Sequence, residues 1–179
     1  MSRPEARRIA ARLRAAGHEV VFAGGAVRDR LLGVRGGDVD IATSASPEQV
    51  QALFPRTLAV GAAFGVVKVL AGGLAYDVAT FRQDIGVADG RHPAAVAPAS
   101  LAEDVQRRDF TINGLVEDPW TGAVIDLVGG IADLQARRVR AIGDAGQRFR
   151  EDGLRLLRGV RFAAEIGRAS CRERVLRLV

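Results

Sequence analysis

Glu19-Val20-Val21-Phe22-Ala23-Gly24-Gly25-Ala26-Val27-Arg28-Asp29, followed closely by Asp38-Val39-Asp40-Ile41-Ala42-Thr43, is the stretch from which the fold is read. Val20 to Ala23 has strand composition and runs into a glycine pair. Ala26 to Leu32 then has helix-forming composition, with Arg28 and Asp29 in its first turn. Glycines at a strand-to-helix turn let backbone N–H groups come close to a phosphate, and the helix N-terminus adds favourable partial charge. Gly24 and Gly25 are therefore candidate phosphate-binding positions, and Arg28 can clamp the same anion. Beyond a Gly36-Gly37 turn, Asp38 and Asp40 alternate with Val39 and Ile41, so in a strand both carboxylates project on one face and the apolar pair enters the core. Like charges so placed repel unless a cation lies between them, which points to a divalent metal site. Taken by itself, Asp-x-Asp also fits a solvated strand end; placed just after Gly-Gly-x-x-Arg-Asp, the metal reading is the better one.

Working outward, the 179 residues suffice for one well-buried core. An apolar fraction of 48% with 26% charged residues is that of a globular chain and excludes a disordered one. No apolar run approaches the roughly 20 residues of a membrane-spanning helix, and the N-terminus has no signal-peptide core, so the expected location is cytoplasmic and no membrane partner is expected. The net charge of +5 comes almost wholly from arginine, Lys68 being the single lysine. Arginine suits bidentate phosphate contacts and base stacking, hence a nucleotide or nucleic-acid partner; it equally suits a GC-rich coding sequence. The lone Cys171 excludes a disulfide framework, and His18 and His92 are too far apart to indicate zinc.

The remaining elements follow from local chemistry. Pro4 to Ala16 is an amphipathic helix whose arginines read as a solvated face. Ser46-Pro47-Glu48-Gln49 has capping-box spacing and opens a helix with Val50, Leu53 and Phe54 inward. Thr57 to Val60, Gly65 to Leu70 and Leu74 to Phe81 read as strands, the last two joined by a tight turn at Gly72-Gly73. The class is α/β (α+β), with a mixed or antiparallel sheet and helices packed on one side. Gln83 to Ala99 reads as a mobile loop. Ser100 and Glu103 form a second capping box ahead of Arg107-Arg108-Asp109, in which one guanidinium can fork onto phosphate while the neighbouring Asp holds an arginine in place. Ala123 to Leu127 and Val139 to Ile142 read as strands flanking a short helix. Gln147 to Gly167 reads as one long helix broken or kinked near Gly153, with Leu154, Leu157, Val160, Arg161 and Ala164 inward. Asp152 and Arg155 lie three apart on one face and can pair, an interaction worth a few tenths of a kcal/mol. They can also offer an acceptor and a donor fork to a base's Watson–Crick edge.

Three stretches together, Gly24 to Asp29 with Asp38-Val39-Asp40, Arg107 to Leu115, and Glu151 to Phe162, resemble the head domain of the tRNA nucleotidyltransferase (CCA-adding enzyme) and bacterial poly(A) polymerase family, within the polymerase-beta-like nucleotidyltransferases. The resemblance implies a head over residues 1–143, the start of a helical neck over 144–167, and a tail over 168–179 that does not resemble the family's continuation into body and tail domains. It implies Mg²⁺ on Asp38 and Asp40, a further carboxylate at Asp77, triphosphate contact at Arg108, sugar contact near Asn113, and a base of CTP or ATP read by Asp152 and Arg155 with Arg158 and Arg161 around the nucleotide. Asp89 to Pro93 resembles the family's flexible loop, and Gly114 stands where alanine is common, which should loosen a local helix by up to about 1 kcal/mol. The implied activity is template-independent addition of CMP and AMP to the 3′ end of tRNA, with an RNA 3′ end and nucleoside triphosphates as partners. Poly(A) polymerase, A-only or C-only addition, and a non-catalytic NTP- or RNA-binding head remain alternatives. A neck helix without its body exposes apolar surface, so self-association through that surface is expected.

Overall fold

The computed structural model describes residues 2–34, 37–59, 61, 64–86 and 94–167. The glycine-flanked run gives β1 (Val20–Ala23), buried throughout, then α2 (Gly25–Leu31) and β2 (Asp40–Thr43). Before them, α1 (Arg3–Ala15) turns Ala6, Ile9, Ala10 and Leu13 inward at the spacing of an amphipathic helix. Pro47 stands in the first turn of α3 (Pro47–Leu53), whose reciprocal Ser46–Gln49 capping box is formed. The strands β3 (Thr57–Leu58), β4 (Val66–Ala71) and β5 (Leu74–Thr80) follow, with Gly72-Gly73 as the β4–β5 hairpin turn.

Next come β6 (Arg82–Ile85) and β7 (Ala95–Pro98), then α4 (Leu101–Gln106), whose Ser100–Glu103 capping box is also formed. A 3-10 turn spans Thr111–Asn113, and the chain continues through β8 (Val116–Glu117), β9 (Val124–Ile125), α5 (Gly130–Gln135), α6 (Ala145–Glu151) and α7 (Leu154–Gly167). Seven strands form one mixed sheet in the order β3-β4-β5-β2-β1-β8-β9. Among the described residues only the β2–β5 pairing is parallel, with Ile41 opposite Val78 and Thr43 opposite Thr80.

Each face of this sheet has its own core. Phe22, Ile41, Val67, Val69, Tyr76 and Val78 pack with α1 and α3, while Val21, Ala23, Ala42 and Val116 pack with Leu101 and Val105 of α4. Helices thus flank both faces, correcting the one-sided arrangement expected from the sequence. The reason is that β1 and β2 are apolar at successive positions, so both of their faces need cover. Other expectations also change. The segment from Gln83 to Ala99 is not wholly a loop, since β6 and β7 form a separate antiparallel ribbon with Arg82 opposite Pro98 and Ile85 opposite Ala95. Both strands are short, β6 mostly polar and β7 (Ala95-Val96-Ala97-Pro98) apolar throughout, so no apolar alternation announces them. Asp89 to Pro93, the loop of the resemblance, lies outside the described residues, as do Gly36, Cys171 and the 168–179 tail. Val139 to Ile142 forms only a single bridge, Phe110 to Ala141. At Gly114 an added Cβ would come within 2.8 Å of Val128 Cγ2, so glycine here admits close packing of the turn rather than loosening a helix.

The long closing helix is two helices, with Asp152 at the break in an extended conformation (φ −150°, ψ 105°). On α7 the buried residues are Gly159, Phe162 and Ile166, whereas Leu157 is 67% and Val160 55% exposed. The apolar stripe read as inward therefore faces out. The seam with the rest of the molecule is made instead by Phe162, edge-on to Phe110 at 5.9 Å, and by Gly159, whose lack of a side chain lets the Phe110 ring approach.

Candidate active site

The carboxylates gather on the sheet face opposite α1. Along β2, Ile41 and Thr43 point toward α1, so Asp40 and Ala42 point the other way; along β5, Tyr76 and Val78 are buried and Asp77 points with Asp40. Because Ile41 lies opposite Val78 in parallel register, Asp40 and Asp77 stand on adjacent strands at the same level. Lys68, opposite Asp77 on β4, completes the row and donates to Asp77 Oδ1 at 2.6 Å. Asp38 precedes β2 and is exposed, with the buried Val39 between it and Asp40, so the alternation holds although the strand itself starts at Asp40.

Asp40 carries the electrostatic burden. Its carboxyl is pushed up to about 6, first by burial and then by Asp77 and Asp38, while Arg108 and Lys68 pull it down. Gly24 is the residue that makes room for it: the backbone there has φ 75°, and an added Cβ would stand 2.8 Å from Asp40 Oδ2. The turn between β1 and α2 and the end of β2 are thus in contact, which is why the glycine pair and the Asp-x-Asp lie together.

The implied Mg²⁺ is tested against these residues. Among the described residues no group of three or more acidic, His or Cys side chains could by itself hold a metal ion. Mg²⁺, however, is usually bound by one or two carboxylates plus substrate phosphates. A carboxylate raised by two acidic neighbours, beside an open glycine turn, is the environment such an ion relieves, so Asp38 and Asp40 fit it. Asp77 is committed to Lys68.

The arginines separate into three roles. Arg108, facing Asp40, is held by Asp104 Oδ2 through Nη2 at 2.8 Å, and its Nη1 donates to the Asn113 carbonyl at 3.4 Å. Sequence reasoning gave the holding role to Asp109, but Asp109 Oδ2 accepts from Arg158 Nε at 2.8 Å, and its Oδ1 accepts from Asn113 Nδ2 at 3.1 Å. The spacing of Asp104 three and four residues before Arg107 and Arg108 is the signal that could have found it. Arg28 is buried, donating to Asp29 Oδ1 and Asn113 Oδ1, each at 2.9 Å. Its guanidinium also lies over the Phe162 ring at 5.0 Å, which Arg158 and Arg161 approach at 5.4 and 4.7 Å. Phe162, unassigned in the sequence, is therefore the hub through which the glycine turn, the 3-10 turn and α7 meet.

Asp152 and Arg155 do not pair with each other. The break between α6 and α7 turns Asp152 into the cap of the second helix, its Oδ1 accepting from Leu154 N–H at 2.9 Å. Arg155 instead donates to Glu151 Oε2 at 2.9 Å and to the Arg148 and Arg107 carbonyls. Arg82, at the start of β6, lies against Asp84.

Compared with known proteins, residues 20–140 match the family described as the poly A polymerase head domain. The chain is 49% identical over 164 residues to the CCA-adding enzyme of Geobacillus stearothermophilus, covering 91% of this chain and 40% of that protein. The crystal structure of Bacillus stearothermophilus CCA-adding enzyme in complex with CTP superposes with a TM-score of 0.83 at 47% identity, over 92% of this chain and 39% of that one. The Thermotoga maritima CCA-adding enzyme complexed with tRNA gives 0.67 at 27% identity, over 87% and 36%. The chain thus spans about 40% of the length of the curated relatives it matches. No described helix is long and apolar enough to cross a membrane.

Proposed function

Since the chain belongs to the poly A polymerase head domain family and has the polymerase-beta-like nucleotidyltransferase fold of its relatives, we propose that it is the catalytic head of a template-independent RNA nucleotidyltransferase that adds CMP and AMP, from CTP and ATP, to the 3′ end of tRNA. The observation that carries the reading is Asp40, held between Asp38 and Asp77 against the Gly24 turn, with the Arg108 guanidinium facing it. Asp38 and Asp40 would hold Mg²⁺. The ion, when bound, activates the attacking 3′-hydroxyl and neutralises charge on the pyrophosphate that leaves.

The chain's own residues supply position. Gly24 lets the turn close on Asp40, Gly25 leaves the start of α2 without a side chain where a phosphate would lie, and Arg108 offers that phosphate a positive charge pre-set by Asp104. Asn113, tied to Arg28 and Asp109, presents a rigid edge where a sugar would lie. Arg28, Arg158 and Arg161 around Phe162 form the wall from α2 to α7, and Asp152 and Arg155 at the head of α7 would read the incoming base. Their separate tethers mean that each approaches the base on its own. Asp77, paired with Lys68, would stand as a further carboxylate beside Asp40 on the neighbouring strand.

The test is incorporation of labelled CTP and ATP, with Mg²⁺, into tRNA lacking its 3′ end, comparing the chain with the double variant Asp38→Ala, Asp40→Ala. Label entering only with the native chain supports the reading, and the nucleotide accepted separates CCA addition from poly(A), A-only or C-only addition. If neither incorporates while the native chain still binds CTP with Mg²⁺, the activity needs the rest of the longer relatives and this chain is a nucleotide-binding head.

A further inference from the structure

We propose that Asp104 is a positioning residue that ties the β6–β7 ribbon to Arg108, so that the position of the ribbon sets how tightly the site holds a nucleoside triphosphate. The inference rests on the reading of Arg108 as a triphosphate contact.

Asp104 is 1% exposed, and its two oxygens serve different parts of the molecule. Oδ1 accepts from Arg107 Nε at 3.0 Å and Nη2 at 2.7 Å, and from the backbone N–H of Arg82 at 3.3 Å. Oδ2 accepts from Arg108 Nη2 at 2.8 Å and Nε at 3.3 Å. Arg107 extends the first set into the ribbon, donating from Nε to the Arg82 carbonyl at 3.0 Å and lying 3.7 Å from Asp84. One planar carboxylate thus carries the root of β6 on one side and the phosphate-facing arginine on the other. It cannot turn to follow one without moving the other.

The ribbon root also carries a less directional contact. Arg82 Nε and Asp84 Oδ1 are buried 3.3 Å apart as an ion pair, yet neither makes a hydrogen bond. The pair is bound by charge without the directionality of a hydrogen bond, so it fixes the orientation of the root less narrowly than the bonds to Asp104 do. The opposite end of the device is fixed: Asp104 stands on α4, whose start is locked by the Ser100–Glu103 capping box. Three guanidiniums against the carboxylates of Asp84 and Asp104 leave positive charge over, and Arg108 directs it toward Asp40.

The experiment is CTP binding by isothermal titration to the native chain, R107M, D104N, the double variant and R108A. R107M disturbs only the ribbon side, and the expected result is binding weakened by about five- to tenfold in the native background, with no further loss in the D104N background. Native affinity in R107M, or equal losses in both backgrounds, overturns the tie. R107K should recover part of the loss. If D104N does not fold, D84N replaces it, and the effects of R107M and D84N should fail to add; full additivity overturns the proposal. R108A separates the two readings: if it binds CTP as the native chain does, the triphosphate role of Arg108 fails. The tie is then judged by amide exchange of the ribbon, which R108A must accelerate if the tie holds and which, unchanged, overturns it.

Discussion

At Asp40 the protein accepts a cost in stability to keep a site ready. Its folded pKa of about 6 lies above the ordinary 3.8, so the native state binds its proton more tightly than the unfolded chain does. Sign follows from linkage: the favourable contribution is complete below pH ~4, is lost as pH rises through ~6, and above that the ionised group burdens the fold. Asp40→Asn should therefore stabilise the metal-free protein at pH 7.5, by about 2 kcal/mol once solvent screening of a half-buried group is allowed for, and raise its melting point. The gain should fade between pH ~6 and ~4, and Mg²⁺ should stabilise the native chain but not the variant; thermal melts across pH decide both points. A variant less stable than the native chain at pH 7.5 would mean the carboxylate is not burdened. Legibility at this scale was mixed. Asp38, Asp40 and Gly24 are marked by residue type and order, and Arg108 by the family resemblance. Asp104 could have been found from its spacing to the arginine pair, whereas Phe162 acquires its role only when the glycine turn, the 3-10 turn and α7 are brought together.

Elements whose signals are local were legible: both capping boxes, the Gly72-Gly73 hairpin and the strand-turn-helix around Gly24 depend on neighbours within a few residues. The β6–β7 ribbon was not, because its pairing lacks apolar alternation, and the facing of α7 was not, because helical periodicity states that a stripe exists without saying what meets it. The break at Asp152–Gly153 was visible as a glycine, but its effect on the Asp152–Arg155 pair depends on an extended residue that spacing does not reveal. That break supplies a test of the α7 head. Asp152→Asn keeps a good capping acceptor for Leu154 N–H and so should leave the stability within about 0.5 kcal/mol of native, whereas Asp152→Ala should cost about 1 kcal/mol. If Asp152 reads the base, the Asn variant nevertheless alters the ratio of CTP to ATP binding, because an amide can donate where a carboxylate only accepts. An unchanged ratio in a stable Asn variant assigns the residue to capping alone.

On the scale of the whole molecule, the outward stripe of Leu154, Leu157 and Val160 on α7 is apolar surface without a partner among the described residues. Self-association should follow, seen as a mass above that of a monomer in light scattering at high concentration, and Leu157→Glu should return the protein to monomer without lowering its melting point, since Leu157 packs against little. A sharp native monomer would reject this. The order of strands has a separate consequence, in time. β1 lies inside the sheet, paired on one side with β2, made soon after it, and on the other with β8, whose Glu117 must reach Phe22. During synthesis from the N-terminus, the β1–β2–β5 part that carries Asp40 and Asp77 is complete while the second edge of β1 still waits. The acidic half of the site thus emerges first, and the half built from Arg108 and Asn113 is added when the later strand closes the sheet; a nascent chain passes through an interval in which Asp40 lacks the Arg108 guanidinium.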